Sequence, residues 1–210
     1  MKITKYKHAC FTVEKDGKLL VVDPGGFTDD LGAPENVVGI VVTHEHPDHL
    51  DVAALGALVA HNPNAFVIAH ASITTQLGDT LPHTSVATGD KITIGPFELA
   101  FVGGEHARIT PDMPPLANLG VLVDQTVYYP GDSFFVPEET FDVLALPVSA
   151  PWCKISEVMD FVRATKAQRV FPTHDAILSD EGKALVDRML SPVVSQAGGR
   201  YERLHTPIAI

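Results

Sequence analysis

The stretch that most constrains this chain is residues 43–51, which read THEHPDHLD and bring three imidazoles and several carboxylates together. It directly follows the apolar run VVGIVV at residues 37–42. An apolar run rich in β-branched residues is typical of a buried strand, so the polar stretch is expected in the loop at the C-terminal end of that strand. Ligand-binding loops of α/β sheets lie at that end. The stretch therefore predicts part of a metal site.

The spacing of these residues indicates which side chains act together. His44 and His46 stand two positions apart, so on an extended backbone both side chains leave on the same side and can bind one ion. Asp48 and His49 follow a turn begun by Pro47 and can reach a second, adjacent ion. Imidazole and carboxylate are both ligands of divalent ions. The alternative, a polar turn with solvated histidines, would be preferred for a single histidine but not for this cluster.

Residues 44–49 resemble the H-x-H-x-D-H signature of the metallo-β-lactamase superfamily. Four further residues match positions of that family's motifs, each following a predicted strand: Asp23, His106, Asp132 and His174. The five motifs occur in the family's order and span nearly the whole chain. The resemblance implies the α/β class, with a four-layer αβ/βα sandwich, and two adjacent divalent ions.

The resemblance also implies roles for individual residues. His44, His46 and His106 would hold one ion, Asp48, His49 and His174 would hold the other, and Asp132 would bridge them. Asp23 resembles the aspartate that orients a ligand loop through hydrogen bonds. A turn former before Pro24 is the other interpretation of Asp23, and the two are compatible. Zinc is the expected metal, with manganese or iron as alternatives, because imidazole and carboxylate suit zinc best.

Length and charge narrow the classes of function. A chain of 210 residues with 45% hydrophobic content can build one sizeable core, so we expect a single domain over residues 1–210. The formal net charge of −11, without clustered Lys and Arg, argues against a nucleic-acid partner. We find no apolar signal segment and no stretch of membrane length, and we expect a cytoplasmic protein without a membrane partner. Cys10 and Cys153 are expected to be reduced thiols.

Apolar periodicity predicts two strand-rich halves, each with helices. Strands are expected at residues 3–7, 10–15, 18–23, 66–69, 120–123, 126–129 and 143–146, with a hairpin over 91–102. Helices are expected from His49 to Ala60, from Ser72 to Leu77 with Ser72 as the cap, and at about residues 155–166 and 180–190. The Pro-rich residues 110–115 are expected to form a loop near His106 and part of the rim of a substrate pocket.

The implied chemistry is hydrolysis. Two adjacent ions lower the pKa of a shared water, and the resulting hydroxide attacks a carbonyl or phosphoryl centre. The expected substrate is a small ester, lactone, thioester or phosphoester. Asp48 is the first candidate to orient the nucleophile, and His8 is a candidate proton donor or substrate contact. A lone histidine on a strand is more often structural, so the role of His8 stays open.

The start of the chain is most similar to the L-ascorbate-6-phosphate lactonase-like branch of the family, although Lys7 stands where that branch has glycine. Two other functions remain open: a metal-dependent binding or sensing module without significant turnover, and a mononuclear iron dioxygenase. Trp152 and Lys154, with Ser149, could shape the pocket, but a tryptophan that caps the core and a solvated lysine are slightly preferred. Glu105 is equally open. The sequence predicts neither the exact substrate nor the oligomeric state.

Overall fold

A computed structural model describes residues 1–29 and 31–210, which form two seven-stranded sheets and four α-helices. The strands of the first sheet are β1 (Lys2–Lys5), β2 (Phe11–Lys15), β3 (Lys18–Val22), β4 (Val37–Val42), β5 (Phe66–Ala69), β6 (His83–Ser85) and β14 (Ile208–Ala209). Those of the second are β7 (Lys91–Ile94), β8 (Phe97–Glu105), β9 (Ala117–Val123), β10 (Val127–Tyr129), β11 (Val143–Pro147), β12 (Arg169–Thr173) and β13 (Arg200–Tyr201). The helices are α1 (Val52–His61), α2 (Ala71–Leu77), α3 (Ile155–Thr165) and α4 (Asp180–Gln196).

Each sheet mixes parallel and antiparallel pairing. The order in the first sheet is β14-β1-β2-β3-β4-β5-β6, with parallel pairing from β3 to β6. The two-residue turn Asp16-Gly17, with both φ angles positive, joins β2 to β3 as an antiparallel hairpin. The order in the second sheet is β13-β12-β11-β10-β9-β8-β7, with parallel pairing from β10 to β13. Predicted ligands lie directly after the C-terminal ends of three of these parallel-paired strands, β4, β10 and β12.

The main core lies between the sheets. Alternation along β4 shows the arrangement, because Val41 belongs to the cluster between the sheets whereas Ile40 and Val42 pack in the cluster with α1 and α2. Phe101 and Phe171 of the second sheet face the same central cluster as Val41. A third cluster joins the outer face of the second sheet to α3 and α4. The layers are helix, sheet, sheet and helix, which confirms the predicted αβ/βα sandwich.

Several predicted boundaries were wrong. Helix α1 begins at Val52 rather than His49, because the Asp51 side chain accepts from the backbone N–H groups of Ala53 and Ala54 and caps the helix there. Helix α2 is capped by His70, whose side chain accepts from the Ser72 N–H, and not by Ser72.

Helix α4 continues past residue 190 to Gln196, since Val193 and Val194 are buried on its inner face. The short strands β6 and β13 were not anticipated. No helix in the described ranges is long and apolar enough to cross a membrane.

Candidate metal centre

Strand ends of both sheets bring the predicted ligands to one end of the sandwich. The loop after β4 carries His44, His46, Asp48 and His49. From the second sheet, His106 follows β8, Asp132 follows β10 and His174 follows β12. Their ligand atoms form two groups, and within each group all the atoms lie within 4.8 Å of one another. One group is His44, His46, His106 and Asp132, and the other is His8, Asp48, His49 and His174.

Asp132 stands between the two groups. Its Oδ2 lies 3.3 Å from His106 Nε2 in its own group and 3.1 Å from His174 Nε2 in the other. Its Oδ1 lies 3.2 Å from His49 Nε2, also of the other group. The structure therefore places the carboxylate that was expected to bridge two ions in contact with histidines of both groups.

Hydrogen bonds on the outer nitrogen fix three histidines in one tautomer. Nδ1 of His49 donates to Asp23 Oδ2 over 2.6 Å, Nδ1 of His106 donates to the Ala107 carbonyl, and Nδ1 of His174 donates to the Ser149 carbonyl. Carboxylate and carbonyl oxygens only accept, so Nδ1 carries a proton in each ring and Nε2 is the nitrogen that faces the centre.

Four buried atoms at this centre lack a hydrogen-bond partner among the described residues: Nε2 of His49, His106 and His174, and Oδ1 of Asp132. Leaving buried polar groups unpaired costs free energy, and such groups in native proteins call for a specific explanation. Lone pairs of imidazole and carboxylate that converge in this way fit a divalent cation. The donor set is thus chemically suited to metal binding.

Asp23 lies beneath the ligand loop and is fully buried. Besides His49, it accepts from the Thr43 N–H (2.8 Å) and from the Thr43 hydroxyl (2.7 Å). The Thr43 Oγ1 is also 3.1 Å from His44 Nδ1 and can accept from it. One carboxylate therefore orients a ligand histidine of each group, one directly and one through Thr43.

Gly25 allows the chain after β3 to touch the ligand loop. A Cβ at this position would lie 2.0 Å from the Asp48 carbonyl oxygen and 2.3 Å from the His49 nitrogen. The neighbouring Gly26 N–H donates to the Pro47 carbonyl over 2.7 Å. Only a residue without a side chain fits at position 25, a requirement that the sequence analysis did not identify.

His8 lies at the centre, in the turn between β1 and β2 rather than on a strand as expected, with a φ of 60°. It is fully buried, and its Nδ1 accepts from the Ala176 N–H while its Nε2 donates to Asp48 Oδ2 over 2.9 Å. Its carbonyl accepts from the His174 N–H over 3.0 Å. His8 thus contacts one predicted ligand through its side chain and another through its backbone.

Among the other residues whose role the sequence left open, some contact the centre and some are exposed to solvent. Trp152 is buried, and its indole N–H donates to Asp132 Oδ2 over 2.9 Å, so this side chain contacts the centre. Ser149 contributes only its carbonyl, to His174. Lys154 and Glu105 are exposed. No local sequence pattern indicated that the indole would reach a carboxylate 20 residues away.

Charges of neighbouring groups perturb the metal-free site strongly. Burial lowers the pKa of His49, but the carboxylates of Asp132 and Asp23 outweigh it and raise that pKa to about 10. Burial also opposes protonation of His174, yet the nearby carboxylates of Asp132 and Asp48 raise its pKa to about 9. Burial and nearby His49 hold the pKa of His44 well below its usual range. Burial favours the neutral form of Asp132, but His49 and the other histidines hold its pKa well below the usual range.

A groove lies beside the first group of ligands. Its walls include His46 and His106, and residues 107–109 and 113–116 of the Pro-rich loop and its flanks. The structure therefore puts part of this loop next to the centre, as expected. Arg108 is exposed in the groove, and Ile109, Met113 and Leu116 contribute apolar surface beside it.

Comparisons with known proteins agree with this architecture. A family model described as a beta-lactamase superfamily domain matches residues 2–174. Protein Rv0786c of Mycobacterium tuberculosis is 37% identical over 190 residues, which cover 88% of this chain and 89% of that protein. A UPF0173 metal-dependent hydrolase of Flavobacterium johnsoniae is 29% identical over 161 residues, covering 70% of this chain and 67% of its own.

Two solved structures share the fold. Igni18, a metallo hydrolase from Ignicoccus hospitalis, superposes with a TM-score of 0.76 at 19% identity and covers 100% of this chain and 98% of its own. The metallo-beta-lactamase fold protein YhfI of Bacillus subtilis has a TM-score of 0.69 at 17% identity, covering 97% and 95%.

Proposed function

The chain belongs to the beta-lactamase superfamily, and on that premise we propose that it is a metal-dependent hydrolase with two adjacent divalent ions. The proposal rests on two groups of potential metal ligands that both contact one carboxylate, Asp132. Within the described structure, buried Nε2 atoms of these groups have no hydrogen-bond partner. Relatives from Flavobacterium johnsoniae and Bacillus cereus are named metal-dependent hydrolases, which supports the same activity here.

We assign the ligands as follows. His44, His46 and His106 hold one ion, Asp48, His49 and His174 hold the other, and Asp132 bridges them. Zinc is the preferred metal because most of these ligands are imidazoles and the rest are carboxylates, and manganese or iron are the alternatives.

When bound, two such ions supply a nucleophilic hydroxide at neutral pH and polarise the carbonyl or phosphoryl oxygen under attack. The protein's part is to position the reacting groups. The Asp48 side chain is 20% exposed, so solvent and substrate can approach it, and it can orient the attacking water by accepting a hydrogen bond. Asp48 is itself held by the donor at His8 Nε2.

The geometry favours a positioning role for His8. Both ring nitrogens are engaged, one by the Ala176 N–H and one by Asp48, and the ring is fully buried. Burial lowers the pKa of His8, so the ring is neutral at pH 7 and keeps its proton on Nε2 toward Asp48. His8 therefore assists the reaction through Asp48 and does not need to contact the substrate.

We place the rest of the substrate in the groove beside His46 and His106. Its apolar wall suits the carbon skeleton of a small ester, lactone, thioester or phosphoester. Arg108 suits a negatively charged substituent on that skeleton. Phosphorylated lactones are the first class to screen, since the start of the chain is similar to the L-ascorbate-6-phosphate lactonase-like branch.

Metal content tests the proposal. Plasma mass spectrometry on protein purified without chelator should give two ions per chain, and one or none in the Asp132→Ala variant. Asp160→Ala, which removes a carboxylate from an exposed helical ion pair, is the matched control and should keep both ions. The metal-loaded protein should hydrolyse at least one of the four substrate classes, and a chelator should abolish turnover.

Two results would contradict the proposal. One ion or none in the parent protein would favour a mononuclear centre, including the iron dioxygenase. Two ions without turnover on any of the four classes would favour the binding or sensing module.

A further inference from the structure

Trp152 is the one tryptophan of the chain, and it lies in the loop between β11 and α3. Its indole N–H donates to Asp132 Oδ2 over 2.9 Å, and the bond is buried. An indole N–H is a donor only and does not titrate in the range where proteins are folded. The side chain therefore contacts the carboxylate at every working pH and cannot compete with it for a metal ion.

The oxygen that Trp152 contacts is the one shared by the two ligand groups. Asp132 Oδ2 lies 3.3 Å from His106 Nε2 and 3.1 Å from His174 Nε2, which belong to different groups. Asp132 is fixed at its backbone as well, because its N–H donates to the Asn118 side chain over 2.9 Å. The indole N–H adds a donor at 2.9 Å to the carboxylate itself, on the oxygen that faces both histidines.

Ring contacts hold the indole in this orientation. The Trp152 ring packs edge to face on Phe134 with a centroid distance of 5.1 Å, and it lies 6.0 Å from His106 and 6.4 Å from His174. The side chain is 9% exposed. Because packing already restricts the Trp152 side chain, little further conformational entropy is lost when Asp132 binds an ion. The indole can therefore preorganise this ligand.

We propose that Trp152 is a positioning residue for the metal centre: its N–H holds the Asp132 carboxylate in the orientation in which it faces the histidines of both ligand groups, where it would serve both ions. Groups that orient a metal ligand from behind typically change metal affinity by about 10–100-fold when they are removed. The inference rests on the proposed dinuclear centre. It predicts that the indole N–H, and not the bulk of the ring, sets the affinity for the second ion.

Trp152→Phe tests this, since it removes the N–H and keeps an aromatic ring. The control is Phe141→Leu, which removes an aromatic ring from the same core cluster as Phe134, where Phe141 packs on Tyr128. Each protein is titrated with Zn²⁺ against a chromophoric chelator. Parent and Phe141→Leu should bind two ions with similar constants, and Trp152→Phe should bind the second ion about 10–100-fold more weakly. The Co²⁺ forms give a second readout, because the absorption bands of Trp152→Phe should shift relative to those of the parent and the control.

Equal affinities in the parent and Trp152→Phe would overturn the inference while leaving the hydrolase proposal intact. Equal weakening by Phe141→Leu would also overturn it, because a general loss of core packing would then account for the effect. A parent that does not bind two ions would remove the proposed centre and this inference with it.

A further measurement needs no variant. Since Trp152 is the only source of indole fluorescence, emission from the parent must change as Zn²⁺ is added. An unchanged spectrum at full loading would refute the contact between the indole and a metal-binding carboxylate. This readout needs no substitution, so it still tests the contact if Trp152→Phe fails to fold.

Discussion

Replacing Asp23 by asparagine tests how the ligand histidines are oriented from beneath. Asp23 Oδ2 accepts from His49 Nδ1 and from the Thr43 hydroxyl, and Oδ1 accepts from the Thr43 N–H. Asparagine has nearly the same size and tolerates the left-handed backbone that Asp23 adopts at a φ of 45°. The variant should therefore fold, and its effect should be confined to hydrogen bonding.

An amide has one accepting end and one donating end, whereas the carboxylate accepts at both. If the amide oxygen introduced by Asp23→Asn faces the Thr43 N–H, the NH₂ group meets the proton on His49 Nδ1; if the amide is flipped, the NH₂ group meets the Thr43 N–H. Either orientation leaves two buried donors facing each other, which costs about 1–3 kcal/mol. His49 can avoid the conflict by moving its proton to Nε2, but that nitrogen is the proposed ligand.

Because about 1.4 kcal/mol corresponds to a tenfold change in an equilibrium constant, the substitution should weaken binding of the ion at His49 about 5–150-fold. Competition titration with Zn²⁺ measures this change. The control is Asp16→Asn, an exposed turn residue with a similar φ of 51°, which should bind metal as the parent does. Parent-like affinity in Asp23→Asn would refute the reasoning, since it would show that the tautomer of His49 does not depend on Asp23.

Three further predictions concern pH, backbone fit and substrate charge. The pKa values of His49 and His174 in the metal-free protein are raised to about 10 and about 9, so calorimetry at pH 7 should detect proton release on metal binding, with affinity rising toward those values. Their stabilising effect on the metal-free fold is complete below pH 6.5 and is lost as the pH rises to 9 and 10, so the thermal midpoint should fall across that window. Gly25→Ala should lower metal content and the thermal midpoint, since its Cβ would overlap the ligand loop, whereas Gly56→Ala, with open space around it, should not. Arg108→Ala should raise KM for anionic substrates about tenfold or more and leave KM for neutral esters unchanged, and equal effects on both would exclude charge recognition.

The strands, and the position of the candidate residues at one end of the sandwich, were largely predictable because buried strands follow from local patterns, whereas the division of those residues into two groups was implied by the family resemblance. Runs such as residues 37–42 specify buried strands, and a parallel strand places the residues that follow it at a known end of its sheet. Asp132 and His174 follow β10 and β12 of the parallel part of the second sheet, and they come together on this principle although they are distant in sequence. The family resemblance added which strands are neighbours, a matter that composition and periodicity leave open.

Features that depend on long-range contacts could not be predicted. His8 reaches Asp48 only because the turn after β1 takes a left-handed conformation, and the pair is separated by 40 positions. The role of Trp152 likewise depends on where the loop after β11 meets the turn that carries Asp132. Helix ends were misplaced where a cap decided them, as with Asp51 and His70.

The proposed ligands are divided between the two sheets: four come from the loop after β4 and three from strand ends of the opposite sheet. Metal–ligand distances tolerate deviations of only about 0.2 Å. Any substitution in the central core that changes the separation of the sheets, even one far from the histidines, would alter the distance between the two halves of the centre. Metal affinity should consequently change with core substitutions that alter the distance between the sheets. Removal of the metal by a chelator should in turn weaken the packing of one sheet on the other across the whole sandwich.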